Sequence, residues 1–195
     1  MDKIILTDVD GVLLNWQGLF RRWMTEKGFV EDMTQTGYSL AKRYNLTEER
    51  MRALVLQFNT SAAVGFCPAE RDAAHYVRRL GEKGWKFICI TAMGGDRFSE
   101  QLRIQNLERI FGHVFINHYF VGLNEPKDHI LELFAGSEYW WVEDKLANAE
   151  AGLKYGLRPI LIKHDHNSHC ESDEILCVDN WKQAFAIITG EEYIE

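Results

Sequence analysis

The chain has little proline: three residues, at 68, 126 and 159, among 195. Each falls where an element is expected to start or stop, so strand and helix interiors are left unbroken. Long apolar runs are missing. None nears the roughly 18 residues of a membrane-crossing helix, so no membrane association is expected. The N-terminal stretch MDKIILTDVDG carries acids almost at once and does not read as a secretory signal. Cysteine is sparse. Cys67, Cys89, Cys170 and Cys177 form no CxxC pair, and Cys89 lies inside the apolar run Phe87-Ile88-Cys89-Ile90. Free thiols in a reducing, cytoplasmic compartment are expected. A basic excess is absent too. Lys and Arg number 22 against 29 Asp and Glu, a formal charge of −7, which argues against an extended nucleic-acid surface. A small anionic substrate stays open, because a bound metal ion can invert the local field.

What is present suits a globular chain long enough for a sizeable core. Hydrophobic residues make up 46% and charged residues 26%. Internal repeats and low-complexity stretches are lacking. Ile4–Thr7 reads as a buried strand. Trp16, Leu19, Phe20, Trp23 and Met24 recur at helical spacing, with Gly28 as the stop. Thr47 caps a second helix running to about Phe58, and Pro68 is expected to open a third. From there, strands are expected at 86–91, 113–116, 139–142, 159–163 and 174–178. The helices between and after them are expected at 96–111, 127–134, 146–155 and 181–189. Such alternation is the signature of βαβ units. The fold class expected is α/β: a Rossmann-like, mostly parallel sheet flanked by helices. The aromatic-rich helical stretch 15–67 reads as a small helical cap inserted after the first strand. The core domain is then 1–14 together with 68–195.

Open parallel sheets bind ligands at the carboxyl ends of their strands. After the first strand come Asp8, Val9, Asp10 and Gly11. After the second comes Thr91, then Ala92-Met93-Gly94-Gly95. After Tyr139-Trp140-Trp141-Val142 come Glu143 and Asp144. Carboxylates, a hydroxyl and a glycine-rich turn are thus delivered to one edge. Two acids at i and i+2 leave a strand on one side and cannot both ionise cheaply without a cation. A hard divalent ion meets that need, and Mg²⁺ favours a few carboxylates plus phosphate oxygens. A carboxylate can also attack phosphorus, and a second acid can protonate the leaving oxygen.

Asp8-Val9-Asp10-Gly11-Val12-Leu13 after an apolar strand resembles the first motif of the haloacid dehalogenase-like superfamily. Ile90-Thr91 resembles the second, Lys127 the third, and Trp141-Val142-Glu143-Asp144 followed by Asn148 the fourth. The resemblance implies an Mg²⁺-dependent phosphatase acting through an aspartyl phosphate. It implies Asp8 as nucleophile and metal ligand, and Asp10 as general acid/base that also lends its backbone carbonyl to the metal. It implies Thr91, the Ala92 amide and Lys127 as holders of the phosphoryl group, and Asp144 as the remaining metal carboxylate. The acid at Asp10 fits a phosphatase rather than a dehalogenase. Glu143 departs from the usual glycine: an outer or water-mediated ligand and a merely ordered carboxylate both fit. Asn148 could bond a metal-bound water. A phosphotransferase or mutase using the same aspartyl phosphate, and a non-enzymatic phosphate-binding protein, are the alternatives.

The partner expected is a small phosphorylated substrate, chosen by the cap. Trp16, Phe20, Trp23, Phe29, Tyr38, Tyr44, Phe58 and Phe66 could stack a nucleobase or could simply pack together. The run after Gly11 is similar to the deoxyribonucleotidase branch, which implies a nucleoside monophosphate. Phosphoglycolate or a sugar phosphate stands close behind. His164, His166, His169 and Cys170 carry zinc-capable donors, in a spacing that matches no strong metal pattern and in what reads as an exposed loop.

Overall fold

The computed structural model describes all residues except 1, 36, 38, 95, 166, 168–171 and 192–195. Six strands form one sheet: β1 (Ile4–Thr7), β2 (Lys86–Ala92), β3 (Phe115–Val121), β4 (Trp140–Glu143), β5 (Arg158–Ile162) and β6 (Leu176–Val178). Their order is β3-β2-β1-β4-β5-β6, and each neighbouring pair is parallel. The helices are α1 (Trp16–Glu26), α2 (Leu40–Arg43), α3 (Glu48–Asn59), α4 (Ala73–Glu82), α5 (Arg97–Phe111), α6 (Asp128–Leu131), α7 (Leu146–Lys154) and α8 (Trp181–Thr189). Among the described residues, no helix is long and apolar enough to cross a membrane.

Strand side chains alternate between two buried faces. Ile5, Phe87, Cys89, Val142 and Ile160 pack against α4, α5 and α8, through Val77, Leu107, Phe111 and Trp181. Leu6, Ile88, Ile90 and Trp141 pack against Leu131, Ala151 and Leu157 on the other face. Both faces are covered, so the strands are continuous apolar runs, as a parallel sheet requires. Cys67 and Cys89 are buried thiols. Burial pushes Cys67 up to about 12 and Cys89 up as well, which leaves both as packing residues. Cys170 lies outside the described residues.

The helices between β1 and α4 carry a hydrophobic cluster of their own: Phe20, Met24, Tyr44, Met51, Leu54 and Phe58 are its centre. Trp16 stacks on Phe20 at 4.7 Å, and Phe58 meets Phe20 edge-on at 5.3 Å. Chain exit and return lie side by side. Asn15 N–H donates to Pro68 O (2.9 Å) and Glu70 N–H to Leu13 O (2.8 Å).

Two expectations need correction. The helix expected from Pro68 begins at Ala73. Pro68 and Ala69 are held extended against Leu14 and Asn15, and Arg71 takes a positive φ of 38° that breaks any earlier start. Asp72, just before α4, is used elsewhere: its two carboxylate oxygens accept from Trp181 N–H (3.0 Å) and Lys182 N–H (2.9 Å), capping α8. The strand expected at 113–116 is displaced to Phe115–Val121. It is an edge strand with one partner, and its half-exposed Asn117 and His118 hide the apolar signal. The short α2 and a 3₁₀ turn at Ala62–Phe66 were not expected. Neither is long enough to show a helical period.

Phe58 is fully buried among Phe20, Trp16 and Trp23. Phe58→Ala is expected to cost about 3–5 kcal/mol, read as a lower urea midpoint at unchanged slope. A loss below about 1 kcal/mol would show that the aromatic cluster is not a packed core.

Candidate active site

β1 pairs with β2 on one side and β4 on the other, so the strand order reverses between β1 and β4. A crevice opens outside the carboxyl ends of strands at such a point. Here it is a cleft of about 920 Å³. After Thr7, Asp8 N–H still donates to Val142 O of β4 (2.9 Å), and Leu13 and Leu14 N–H both fold back to Val9 O (2.9 Å each). This tight loop presents Asp8 and Asp10 to the cleft. Its Gly11 has a φ of 81°, and a Cβ there would collide with the Asp144 carboxylate. Positive φ and close approach both demand glycine.

Asp8, Asp10, Thr91, Ala92, Lys127, Asp144 and Asn148 all line this one cleft. Lys127 stands just before α6 and is 3% exposed. Its Nζ lies 2.8 Å from Asp8 Oδ1 and 2.6 Å from Glu143 Oε1. Glu143 ends β4, is fully buried, and lies beneath the cleft wall. Its Oε1 also accepts from Asn148 Nδ2 (2.7 Å); its Oε2 accepts from the N–H groups of Asp144 (2.9 Å) and Lys145 (2.8 Å). Four donors fill the acceptor capacity of a carboxylate. Of the two openings left by the sequence, this favours an ordered anchor: Glu143 fixes Lys127, Asn148 and the turn that carries Asp144. Asn148 is thereby turned to Glu143.

Carboxylate oxygens of Asp8, Glu143 and Asp144 come within 4.8 Å of one another. Burial, with the Glu143 carboxylate adding to it, pushes Asp8 up to about 7 despite the opposing pull of Lys127. Burial and the neighbouring Glu143 and Asp8 carboxylates push Asp144 well above its ordinary range. Burial alone would lower Lys127, but Asp8 and Glu143 outweigh it and keep the ammonium charged. Asp8 Oδ1 is buried and, apart from its contact with Lys127, accepts no hydrogen bond. Crowded acids with an under-satisfied buried oxygen suit a hard divalent cation, with Asp8 and Asp144 as the carboxylates facing it.

Arg103 of α5 was not singled out in the sequence. It is fully buried, with Nη1 2.8 Å from Asp10 Oδ1 and Nη2 3.3 Å from Oδ2. Its signal is faint but present: Ser99, Arg103 and Asn106 put polar side chains at helical spacing on the buried face of α5. The helical layer reaches the same edge. Trp16 Nε1 donates to Asn59 Oδ1 (2.8 Å), and Asn59 Nδ2 donates to Met93 O (2.7 Å) just after β2. Phe20, Tyr44 and Phe58 are spent on packing, whereas Trp16 lines the cleft; Phe66 is exposed, and Tyr38 lies outside the described residues. His164 lies within hydrogen-bond reach of Gly11 O (2.7 Å) and Arg71 Nη2 (3.2 Å). An arginine only donates, so His164 Nδ1 accepts and Nε2 carries the proton given to Gly11 O. The other zinc-capable residues of that loop, His166, His169 and Cys170, lie outside the described residues.

No family model matches the sequence. An uncharacterized 32.4 kDa protein of Enterobacteria phage T4 is 25% identical over 138 residues, which is 68% of this chain; the match spans about half, 49%, of the phage protein. Solved structures resemble it along their whole length. A haloacid dehalogenase-like family hydrolase of Streptococcus pneumoniae has a TM-score of 0.65 at 13% identity, covering 95% of this chain and 98% of its own. The D,D-heptose 1,7-bisphosphate phosphatase of B. bronchiseptica, solved with magnesium and phosphate, has 0.64 at 13%, covering 97% and 99%. CbbY of Rhodobacter sphaeroides, solved with phosphate, has 0.59 at 20%, covering 93% and 95%. This chain has the haloacid dehalogenase-like fold. Within that fold, the acids gather where β1 and β4 part, as the strand order dictates.

The raised carboxyl groups set a pH dependence for the cation-free chain. A folded-state value above the unfolded one stabilises the fold below the unfolded value and loses that stability as pH rises. For Asp8 the loss runs from about 4 through about 7. A divalent cation should offset it, raising stability by about 2.7 kcal/mol at a hundredfold excess over Kd. Melting with and without Mg²⁺ should therefore diverge toward the upper end of that window, and Asp144→Asn should shrink the gap. Equal melting temperatures at both ends would overturn the metal-site reading.

Proposed function

We propose that the chain is an Mg²⁺-dependent phosphomonoesterase that works through an aspartyl phosphate on Asp8. The observation that carries this reading is the Asp8–Lys127 contact set beside Asp144 and Asp10 at one sheet edge. Residues 15–67 would serve as a cap over a core of 1–14 and 68–195. Asp8, Asp144 and the Asp10 backbone carbonyl would hold Mg²⁺, which when bound supplies positive charge for the phosphoryl oxygens. Magnesium is present in the heptose bisphosphate phosphatase structure, which supports this choice of ion.

Phosphoryl transfer is mostly positioning and charge stabilisation. An Asp8 oxygen attacks phosphorus while the ester P–O bond breaks. Asp10 gives its proton to the departing oxygen. Asp10 then takes a proton from water as that water attacks the phosphorus, and the P–O bond to Asp8 breaks. Inorganic phosphate leaves and both carboxyl groups return to their starting states. Lys127, held by Glu143, neutralises Asp8 and the transferring oxygens. The Thr91 hydroxyl and Ala92 amide at the end of β2 would hold the phosphoryl group.

The substrate class is a small phosphomonoester. A nucleoside monophosphate would stack on Trp16, the half-buried ring that lines the cleft. Sugar phosphates are supported by the D,D-heptose 1,7-bisphosphate phosphatase and by a CbbY variant solved with xylulose-(1,5)bisphosphate, both of which share this fold. A panel of nucleotides, sugar phosphates and phosphoglycolate with Mg²⁺ separates these.

Asp8→Asn is expected to abolish turnover. Asp10→Asn should lower kcat by about a hundred- to ten-thousandfold, with circular dichroism unchanged in both. EDTA should stop hydrolysis and Mg²⁺ restore it. Full turnover by Asp8→Asn, or by metal-stripped protein, would refute the proposal.

A further inference from the structure

Two buried cations stand near the cleft acids, and they are divided between them. Lys127 contacts Asp8 and Glu143; Arg103 contacts Asp10. Lys127 neutralises the proposed nucleophile and the phosphoryl oxygens. Arg103 has no place in that scheme, yet it is fully buried. Taking a guanidinium out of water costs several kcal/mol, and an apolar residue of similar volume would usually be as stable. Its Nε is buried without a hydrogen bond, so the site is not one that satisfies arginine for its own sake. Among the described residues Asp10 is the carboxylate it pairs with. Both terminal nitrogens face the carboxylate: Nη2 donates to Oδ2 (3.3 Å), and Nη1 lies 2.8 Å from Oδ1 as an ion pair without a hydrogen bond, a placement of two donors that a planar guanidinium allows and an ammonium does not.

Asp10 keeps partial exposure to the cleft, its side chain being 22% accessible. Arg103 approaches from the core side, on the buried face of α5. The same helix is fastened where the chain returns from the helical layer: Asn106 Nδ2 donates to Cys67 O (2.8 Å) and Arg109 Nη2 to Gly65 O (3.3 Å). The guanidinium thus projects from a helix anchored to that returning segment. A carboxyl bonded at one oxygen and ion-paired at the other by one rigid guanidinium is restrained about its terminal torsion, which is otherwise broad.

We propose that Arg103 is a positioning residue for Asp10: the two-point contact from α5 fixes the Asp10 carboxyl where it meets the ester oxygen first and water second. This rests on the phosphomonoesterase reading. Arg103 moves no proton itself, and it does not reach the phosphoryl group.

The test compares wild type, Arg103→Met and Arg103→Lys on two esters with Mg²⁺. One is 2,4-dinitrophenyl phosphate, whose leaving group departs as a stable anion. The other is an alkyl phosphate, whose leaving group needs a proton. In Arg103→Met, kcat for the alkyl ester should fall by about a hundredfold, within the range that general acid–base groups supply, while KM changes little. The dinitrophenyl ester should give a burst of phenolate approaching one per protein molecule, then slow turnover, because attack still proceeds and only water activation suffers. Arg103→Lys keeps a buried cation without the fork. It should fold even where the methionine variant does not, and give the same pattern at smaller size. Adding Arg103→Met to Asp10→Asn should lower the residual kcat no further.

Equal losses on both esters with no burst, or a loss confined to KM, would show a structural role and overturn the assignment. Arg103 variants that match an active wild type overturn it alone. A wild type inert toward both esters overturns the phosphatase reading and this assignment together.

Discussion

The Lys127 ammonium, clamped between Asp8 and Glu143 in a nearly water-free setting, is the interaction on which the site depends. Burial, with the Glu143 carboxylate adding to it, pushes Asp8 upward, and the Lys127 ammonium opposes that rise. Lys127 is itself buried, so it needs both. The triad is held by packing rather than by surface attraction. β4 supplies Glu143, the turn after β1 supplies Asp8, and the connection before α6 supplies Lys127. Glu143 spends its remaining acceptor capacity on Asn148 and on the amides of Asp144 and Lys145. One buried carboxylate thereby sets the position of three groups on the cleft wall.

The sheet explains why these groups meet. Parallel strands end at one edge, and the reversal of order between β1 and β4 leaves a crevice that no crossover fills. The turn after β1 is wound so tightly that its amides reuse Val9 O, and Gly11 lets the Asp144 carboxylate lie against the backbone. The helical layer lines one side of the crevice and is tied to the end of β2 by the Trp16–Asn59–Met93 relay. Its aromatics mostly face one another, so its shape comes from its own core. Cleft walls are then left to the half-buried and polar residues at its edge.

Much of this was legible in the sequence because strand ends are marked by chemistry. Ile4–Thr7, Lys86–Thr91 and Tyr139–Val142 are apolar runs that stop at acids or a hydroxyl, and period and punctuation locate them within a residue or two of the observed strands. Elements with little burial were harder. β3 has one partner and polar side chains in its middle, and α2 is a single turn. The start of α4 was misplaced because Pro68, a helix opener by type, is held extended against the outgoing chain. Arg103 escaped notice for another reason. A lone arginine on a helix reads as solvated, and only its side on α5, shared with Ser99 and Asn106, reveals burial. The role of Glu143 stayed open because acceptor capacity is a matter of three-dimensional donors, which spacing does not supply.

Charge balance ties the acidic character of the chain to its chemistry. Around the strand ends stand four carboxylates, Asp8, Asp10, Glu143 and Asp144, with the buried Lys127 and Arg103 as cations paired to three of them. Burial pushes Asp8 and Asp144 upward, and the crowding of neighbouring carboxylates adds to it. Protonation would relieve it, but a protonated Asp8 is a poor nucleophile. Under the proposed function, a divalent cation would relieve it without that loss and let a phosphate dianion approach a chain whose net charge is −7.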